Sequence, residues 1–340
     1  RHFSGLHLAK PIAVPGTPPQ PPLAVYINDD HRGLYFLTES IRIDSERVDI
    51  AEQENNETDS ELISGGYIVE ITNRWEDNQI RMKEKSFADP EMDRWLCISP
   101  KAPEIFSEQQ MRFVSTQFSI MNNAIGECDN ILWDYIDIED AARYYLVMEI
   151  ISHLEAYSGS TYLFRNRGEN EKWHFSPIWD CGQAFYQVNQ HFFESRIYSN
   201  HWIESMLMNR RFIETIETIW VQFMNSDFNG FYADIHSYIN HIAKAAESDT
   251  KRWENAPAPD GYSPPLADNS NIRQGRDEVI ERIEAKIEWM KSIYGDYSSI
   301  SRTKAPGKES AIVDLQGRRV KTPVGGEIYI RNGALFRLNH

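Results

Sequence analysis

The chain has 340 residues, 41% of them hydrophobic and 25% charged, enough for two average domains or one large α+β domain with a small appendage. Thirty-five Lys and Arg against 51 Asp and Glu give a formal charge of -16, a field that repels phosphate backbones and sets nucleic acid aside as a general partner. No apolar run approaches the roughly 20 residues of a membrane-spanning helix, and Cys97, Cys128 and Cys181 offer neither a C-x-x-C zinc spacing nor an even count for a disulfide framework.

The chain opens on Arg1-His2-Phe3 without an initiator Met, as expected of a chain that follows a preceding segment. Residues 11–22 (PIAVPGTPPQPP) hold six prolines in twelve positions, which predicts an extended lead-in over a surface. Leu23–Asn28 and Leu34–Ile43 are rich in β-branched and aromatic residues, and Asp29 to Gly33 between them predicts the turn of a β-hairpin. An acidic, Asn-rich loop over 52–61 precedes predicted strands at Tyr67–Thr72 and Gln79–Lys83.

After Pro100 the period becomes helical. Ser107 and Gln110 make a capping-box signature, and Met111, Val114, Phe118, Met121 and Ile125 then fall on one face. Asp137 opens a second helix, expected to run through Ala141, Tyr144, Tyr145, Met148 and Ile151 to Glu155. Strands are predicted at Thr161–Arg165 and Lys172–Ser176, and helices at 203–226, 231–247 and 273–294, the last two separated by the Pro-rich loop 255–271. In the tail, AIVDL, RRV, EIYI and ALFRL read as short strands, with Asn332-Gly333 favouring a type I′ turn.

The stretch Glu149 to Phe185 carries the most chemistry. On the predicted elements Glu155 stands at a helix exit and Asp180 at a strand exit, linked by a hairpin. Two such acids can converge on one cleft as a base and a metal ligand for phosphoryl transfer. The same residues also suit a plainer arrangement, in which Glu155 solvates a turn and Asp180 bonds the amides of its own Asp-x-Gly turn. A pair of carboxylates across a cleft suits a glycosidase as well. The nine tryptophans and 16 tyrosines are mostly expected in the core, with a sugar-stacking platform as the alternative use.

Tyr162-Leu163-Phe164, Lys172 to Ser176 and Pro177-Ile178-Trp179-Asp180-Cys181-Gly182 resemble the signature of the spore coat protein H (CotH) kinase family. The hairpin Val25-Tyr26-Ile27-Asn28 with Gly33 to Glu39, and the strand Gly65 to Glu70, are similar to two further stretches of that family, so the resemblance spans about 23–295. It implies a bilobal atypical protein-kinase-like fold of the α+β class over 1–300, with a β-rich N-terminal part and a helical C-terminal part. It also implies ATP and Mg²⁺ or Mn²⁺ as cofactors. Asp180 takes the place of the metal-binding Asp, in a D-C-G context like the D-F-G of ordinary kinases. Glu155 stands where active members carry the catalytic Asp, and Ser160 where many have Asn. Trp179 and Gly182 belong to the same nucleotide site. The family's nucleotide-binding Lys is absent from Gly65–Glu70, and Lys83 or Lys85 on the next strand is the lysine that could reach in.

The short β tail over 308–340, with Val313-Asp314-Leu315-Gln316-Gly317-Arg318 and Gly326-Glu327-Ile328-Tyr329-Ile330, resembles the end of the sorting domains that Bacteroidetes use for type IX secretion. That resemblance implies an extracellular or cell-surface location, and as partner a secreted or surface protein phosphorylated on Ser or Thr. The alternative is a non-catalytic, pseudokinase-like surface module that binds a glycan or a protein through the same cleft.

Overall fold

The computed structural model describes residues 8–55, 57–185, 201–226, 228–253, 272–295, 320, 328–331 and 334–337. In chain order β1 (Pro22–Ile27) and β2 (Asp30–Phe36) form a separate hairpin. The strands β3 (Tyr67–Thr72), β4 (Ile80–Lys83) and β5 (Trp95–Ala102) then precede the helices α1 (Glu108–Glu127), α2 (Leu132–Tyr135) and α3 (Ile138–Ile150). β6 (Thr161–Arg165) and β7 (His174–Phe175) return to the sheet. The helices α4 (His201–Met206), α5 (Arg210–Ser226), α6 (Phe228–Trp253) and α7 (Ile272–Tyr294) follow, and β8 (Ile328–Arg331) pairs with β9 (Ala334–Arg337). The main sheet has the order β4-β5-β3-β6-β7 with every pair antiparallel. The class is thus α+β as expected, β-rich first and helical after. No helix among the described residues is long and apolar enough to cross a membrane.

Several expectations shift in detail. The hairpin turns at Asn28-Asp29, whose φ of 50° and 60° are left-handed, and not over Asp29–Gly33. Gly33 instead lies in β2 beside a bulge opposite Val25 and Tyr26, with φ +118°. A side chain there would strike Asp249 Oδ1 and Trp253 Nε1 of α6, so glycine is what lets the hairpin lie on that helix. Asp249 Oδ1 accepts the Leu34 amide at 2.8 Å. The predicted strand at Leu34–Ile43 ends at Phe36, that at Lys172–Ser176 shortens to two residues, and the helix expected over 203–226 is broken between Met206 and Arg210. The expected strands at 311–315 and 318–320 lie outside the described residues but for Val320, as do the loop 255–271 and the Asn332-Gly333 turn.

β5 has no counterpart among the predicted strands. Its Pro100 reads as a breaker, yet β4 pairs only with Trp95–Ile98. Beyond that point β3 is the one strand paired with β5 among the described residues, and a missing N–H on the open side is tolerated.

Local signals explain the helix starts. Ser107 Oγ accepts the Gln110 amide at 3.1 Å while Gln110 Oε1 accepts the Ser107 amide at 2.7 Å, the capping box that the sequence predicts. Asp137 Oδ1 accepts the amides of Glu139 and Asp140. Tyr67, Val69 and Ile71 of β3 join Val114, Phe118, Met121 and Ile125 of α1 in one buried apolar cluster. Rings continue it from Tyr67 to Trp173 (6.2 Å), Phe118 (5.1 Å) and Trp202 (6.2 Å). The Pro-rich lead-in docks on the strand that approaches Asp180: Ser176 Oγ donates to the Pro15 carbonyl, and Thr17 Oγ1 accepts the Ile178 amide at 3.1 Å.

α3 is buried on nearly every side, from Ala141 to Ile150, as its almost unbroken apolar sequence requires. Its one fully buried charge is Glu149, whose Oε1 lies 2.6 Å from Lys286 Nζ of α7, with both side chains at most 1% exposed. Tyr145 and Tyr294 add a hydroxyl pair at 2.8 Å between the same two helices. Removing one partner of a buried ion pair strands the other charge. Lys286→Met is therefore expected to lower unfolding free energy by about 3–5 kcal/mol in urea titrations, with much of the loss recovered when Glu149→Gln is added.

Candidate functional site

The site grows out of the end of α3. The helix stops at Ile150, so Glu155 does not end it as expected, and instead stands in the turns that follow. This stretch is bent sharply: Ser152, Tyr157, Ser160, Asp180 and Phe185 have φ of 49°, 67°, 47°, 49° and 54°. They are five of the ten non-glycine residues with positive φ among the described residues. Such backbone costs on the order of 1–3 kcal/mol per residue and persists only where its surroundings over-determine it.

Those surroundings are visible. Thr161 Oγ1 accepts the Tyr157 amide at 2.9 Å and donates to the Gly159 carbonyl at 3.1 Å, closing the turn around Glu155 to Ser160. The Glu155 carbonyl accepts the amides of Ser158 and Gly159, each at 3.0 Å. Asp180 caps a single 3₁₀ turn over Cys181–Gln183, its Oδ1 accepting the Gly182 amide at a long 3.4 Å. Trp179 is half-buried and Asp180 exposed.

His153, which sequence reasoning did not single out, ties the two acids together. Its ring is 2% exposed. Nδ1 accepts the Glu155 amide at 3.1 Å, so the proton sits on Nε2, which donates to the Asp180 carbonyl at 2.8 Å. Burial holds its pKa below the ordinary value, against the opposing pull of the Asp180 carbonyl and of the Glu155 and Asp180 charges. A single neutral imidazole thus fixes the backbones of Glu155 and Asp180 relative to each other, and feels both carboxylates.

Glu70, Tyr162 and Lys101 meet on one sheet face, and Tyr162 there feels the charge of Asp180. Glu70 and Tyr162 are direct cross-strand partners. Burial, then the charges of Glu70, Asp180 and Glu76, push the Tyr162 phenol up, which places its hydroxyl within electrostatic reach of all three acids. Lys101 Nζ lies 2.8 Å from Glu70 Oε2 and 3.8 Å from Glu76 Oε2. Lys101, on the neighbouring strand β5, is thus a cation beside Glu70, where no Lys stands in Gly65–Glu70 itself. Lys83, by contrast, pairs with Asp93 and covers the Trp95 ring at 4.5 Å. Ser160 stands just before β6, half-exposed, next to Gly159, which faces the Asn73 side chain.

Among the described residues one group of three has metal-ligand atoms in mutual reach: Asp137, Asp140 and His174. Its groups are already engaged. Asp137 caps α3, while Asp140 accepts from Arg143 at 3.0 Å and from His174 Nδ1 at 2.7 Å. A cation there would compete with a guanidinium, so this group fits an anchor of β7 on α3 better than a metal centre.

A family model described as CotH kinase protein matches residues 6–293. No curated protein matches the chain.

The neutral state of His153 gives the site a pH signature. The folded pKa lies below the unfolded value of about 6.5, so the unfolded chain takes the proton first. The stability that His153 contributes is complete above about pH 6.5 and is lost as pH falls through the folded pKa. The stability advantage of the wild-type protein over His153→Gln is expected to be constant from pH 8 to 6.5 and then to shrink by about 1.4 kcal/mol per pH unit. Urea titrations read this directly, and a difference that stays constant to pH 5 would refute the neutral strut.

Proposed function

Because the chain belongs to the CotH kinase family, we propose that its cleft binds ATP with Mg²⁺ or Mn²⁺ and transfers the γ-phosphoryl group to a Ser or Thr hydroxyl of a secreted or cell-surface protein. The observation that carries this reading is that the two nitrogens of His153 bond the Glu155 amide and the Asp180 carbonyl, while the Asp180 charge reaches Tyr162, the cross-strand partner of the Glu70 that pairs with Lys101.

The residues fit the groups they would hold. Asp180 presents an exposed carboxylate engaged by one long amide contact, a hard oxygen donor of the kind Mg²⁺ and Mn²⁺ prefer. When bound, the cation neutralises the charge that develops on the transferred phosphoryl group. Lys101 supplies a fixed positive charge for phosphate oxygens, oriented by Glu70. Trp179, Gly182 and Ser160 flank the nucleotide. Glu155 accepts the proton as the acceptor oxygen bonds to phosphorus and the bond to the ADP oxygen breaks. A carboxylate at this position has one methylene more than an Asp, and the left-handed turns from Ser152 to Ser160 give the backbone a path that accommodates the longer arm. The tail's resemblance to a sorting domain supports an extracellular or cell-surface address.

A second reading, a surface module that binds a protein or glycan without phosphoryl transfer, is favoured by one feature. The Lys101 ammonium is already neutralised by Glu70 and Glu76, and a phosphate must compete with both.

Calorimetric titration with Mn²⁺–ATP separates these. The wild-type protein is expected to bind, Asp180→Ala to lose binding, and Lys101→Met to bind at least tenfold more weakly. Glu155→Gln is expected to keep binding while losing at least a hundredfold in phosphoryl transfer. Absence of binding at millimolar ATP would overturn the kinase reading and leave the binding module.

A further inference from the structure

Phe185 is the residue at which three parts of the chain meet. Its side chain is fully buried, yet its backbone is left-handed at φ 54°, a conformation a bulky residue adopts only under constraint. Both of its backbone polar groups are taken. The N–H donates to the Ile151 carbonyl at 3.0 Å, at the start of the turn that carries His153 and Glu155. The carbonyl accepts from Arg282 NH1 of α7 at 2.8 Å. Between Asp180 and Phe185 run the Gly182 amide on Asp180 Oδ1 and the Ala184 amide on the Cys181 carbonyl. The segment is short and internally bonded, so whatever holds Phe185 also limits where Asp180 can point.

Arg282 is suited to that task. It lies one helical turn from Lys286, whose ammonium is locked on Glu149, so its own position along α3 is set by a buried ion pair. Burial lowers the pKa of its guanidinium, a sign of lost hydration that the carbonyl bond offsets.

We propose that Arg282 is a positioning residue for the metal-binding carboxylate: by gripping the Phe185 carbonyl it holds the left-handed end of the 180–185 segment and thereby keeps Asp180 against the His153 strut. This rests on the reading of Asp180 as the cation ligand, but the grip itself is testable without any ligand.

Hydrogen exchange of the amides of Gly182, Ala184 and Phe185 in the ligand-free protein is the first measurement. Arg282→Gln is expected to accelerate these amides at least tenfold while the amides of α3 keep their wild-type rates, and Arg282→Lys, which retains a donor on a shorter arm, to restore part of the protection. The second measurement is Mn²⁺–ATP titration, in which Arg282→Gln is expected to weaken binding about tenfold and Arg282→Lys less. Unchanged exchange at 182–185 in Arg282→Gln, or acceleration spread evenly over α3 as well, would overturn the proposal. If Arg282→Gln does not fold, Arg282→Lys alone decides: partial, local acceleration supports the grip, and wild-type rates refute it. Wild-type protein that fails to bind Mn²⁺–ATP while the exchange result holds would sink the cation-ligand reading and leave Arg282 as a clamp on the loop.

Discussion

The buried ion pair between Lys286 and Glu149 is the constraint on which the helical half turns. Neither charge reaches water, and a pair of this kind is often no more stabilising than well-packed apolar residues of the same size. What it supplies is register. An apolar stripe such as Ile283, Ile287 and Met290 tolerates sliding by a turn. A lysine that must find one carboxylate does not. With Glu149 fixed, Tyr294 meets Tyr145 and Arg282 reaches Phe185, so the last long helix is aligned with the central one along its length. The central helix leads directly into the turns that carry His153 and Glu155.

The site is correspondingly a set of strained loops suspended from rigid parts. Helix α3, strand β6 and helix α7 each contribute bonds to backbone that would relax if left alone: Thr161 to Tyr157, Ile151 and Arg282 to Phe185, His153 to both acids. Strain at several adjoining positions, each separately tethered, is how a fold sets carboxylates at a defined separation and keeps them there. The neighbouring sheet face is simpler. There the antiparallel register of β3 between β5 and β6 puts Glu70 next to Tyr162, and the outward face of β5 adds Lys101.

Much of this was legible from local signals. The capping box at Ser107, the cap at Asp137 and the β-branched, aromatic run Tyr67–Thr72 report on neighbours a few residues away, and all three sit where expected, whereas Asp180, expected at a strand exit, lies five residues beyond the end of β7. What escaped depends on distant partners. β5 was hidden because Pro100 is harmless only where β4 has already ended, a fact of sheet topology. Lys101 was missed with it, since its importance comes from facing Glu70 across a strand pair. His153 lies two residues before Glu155 but acts through a carbonyl 27 residues on, and nothing in its surroundings announces that. One signal was available and unread: Glu149 is an acid within the apolar run Tyr144–Ile151, and a carboxylate buried among such residues calls for a counter-charge somewhere in the fold.

The reach of α7 also sets an order of events during synthesis. Arg282 and Phe185 are 97 residues apart and Lys286 and Glu149 are 137 apart. At ribosomal rates of roughly 5–20 residues per second, on the order of ten seconds pass between the emergence of the Asp180 loop and that of its anchor. Throughout that interval the sheet and α3 can form from nearby sequence, whereas the carboxylate at the helix core has no counter-ion and the left-handed end of the loop has no grip. The nascent chain can therefore acquire its sheet and α3 before the bonds that tether the loop from Asp180 to Phe185.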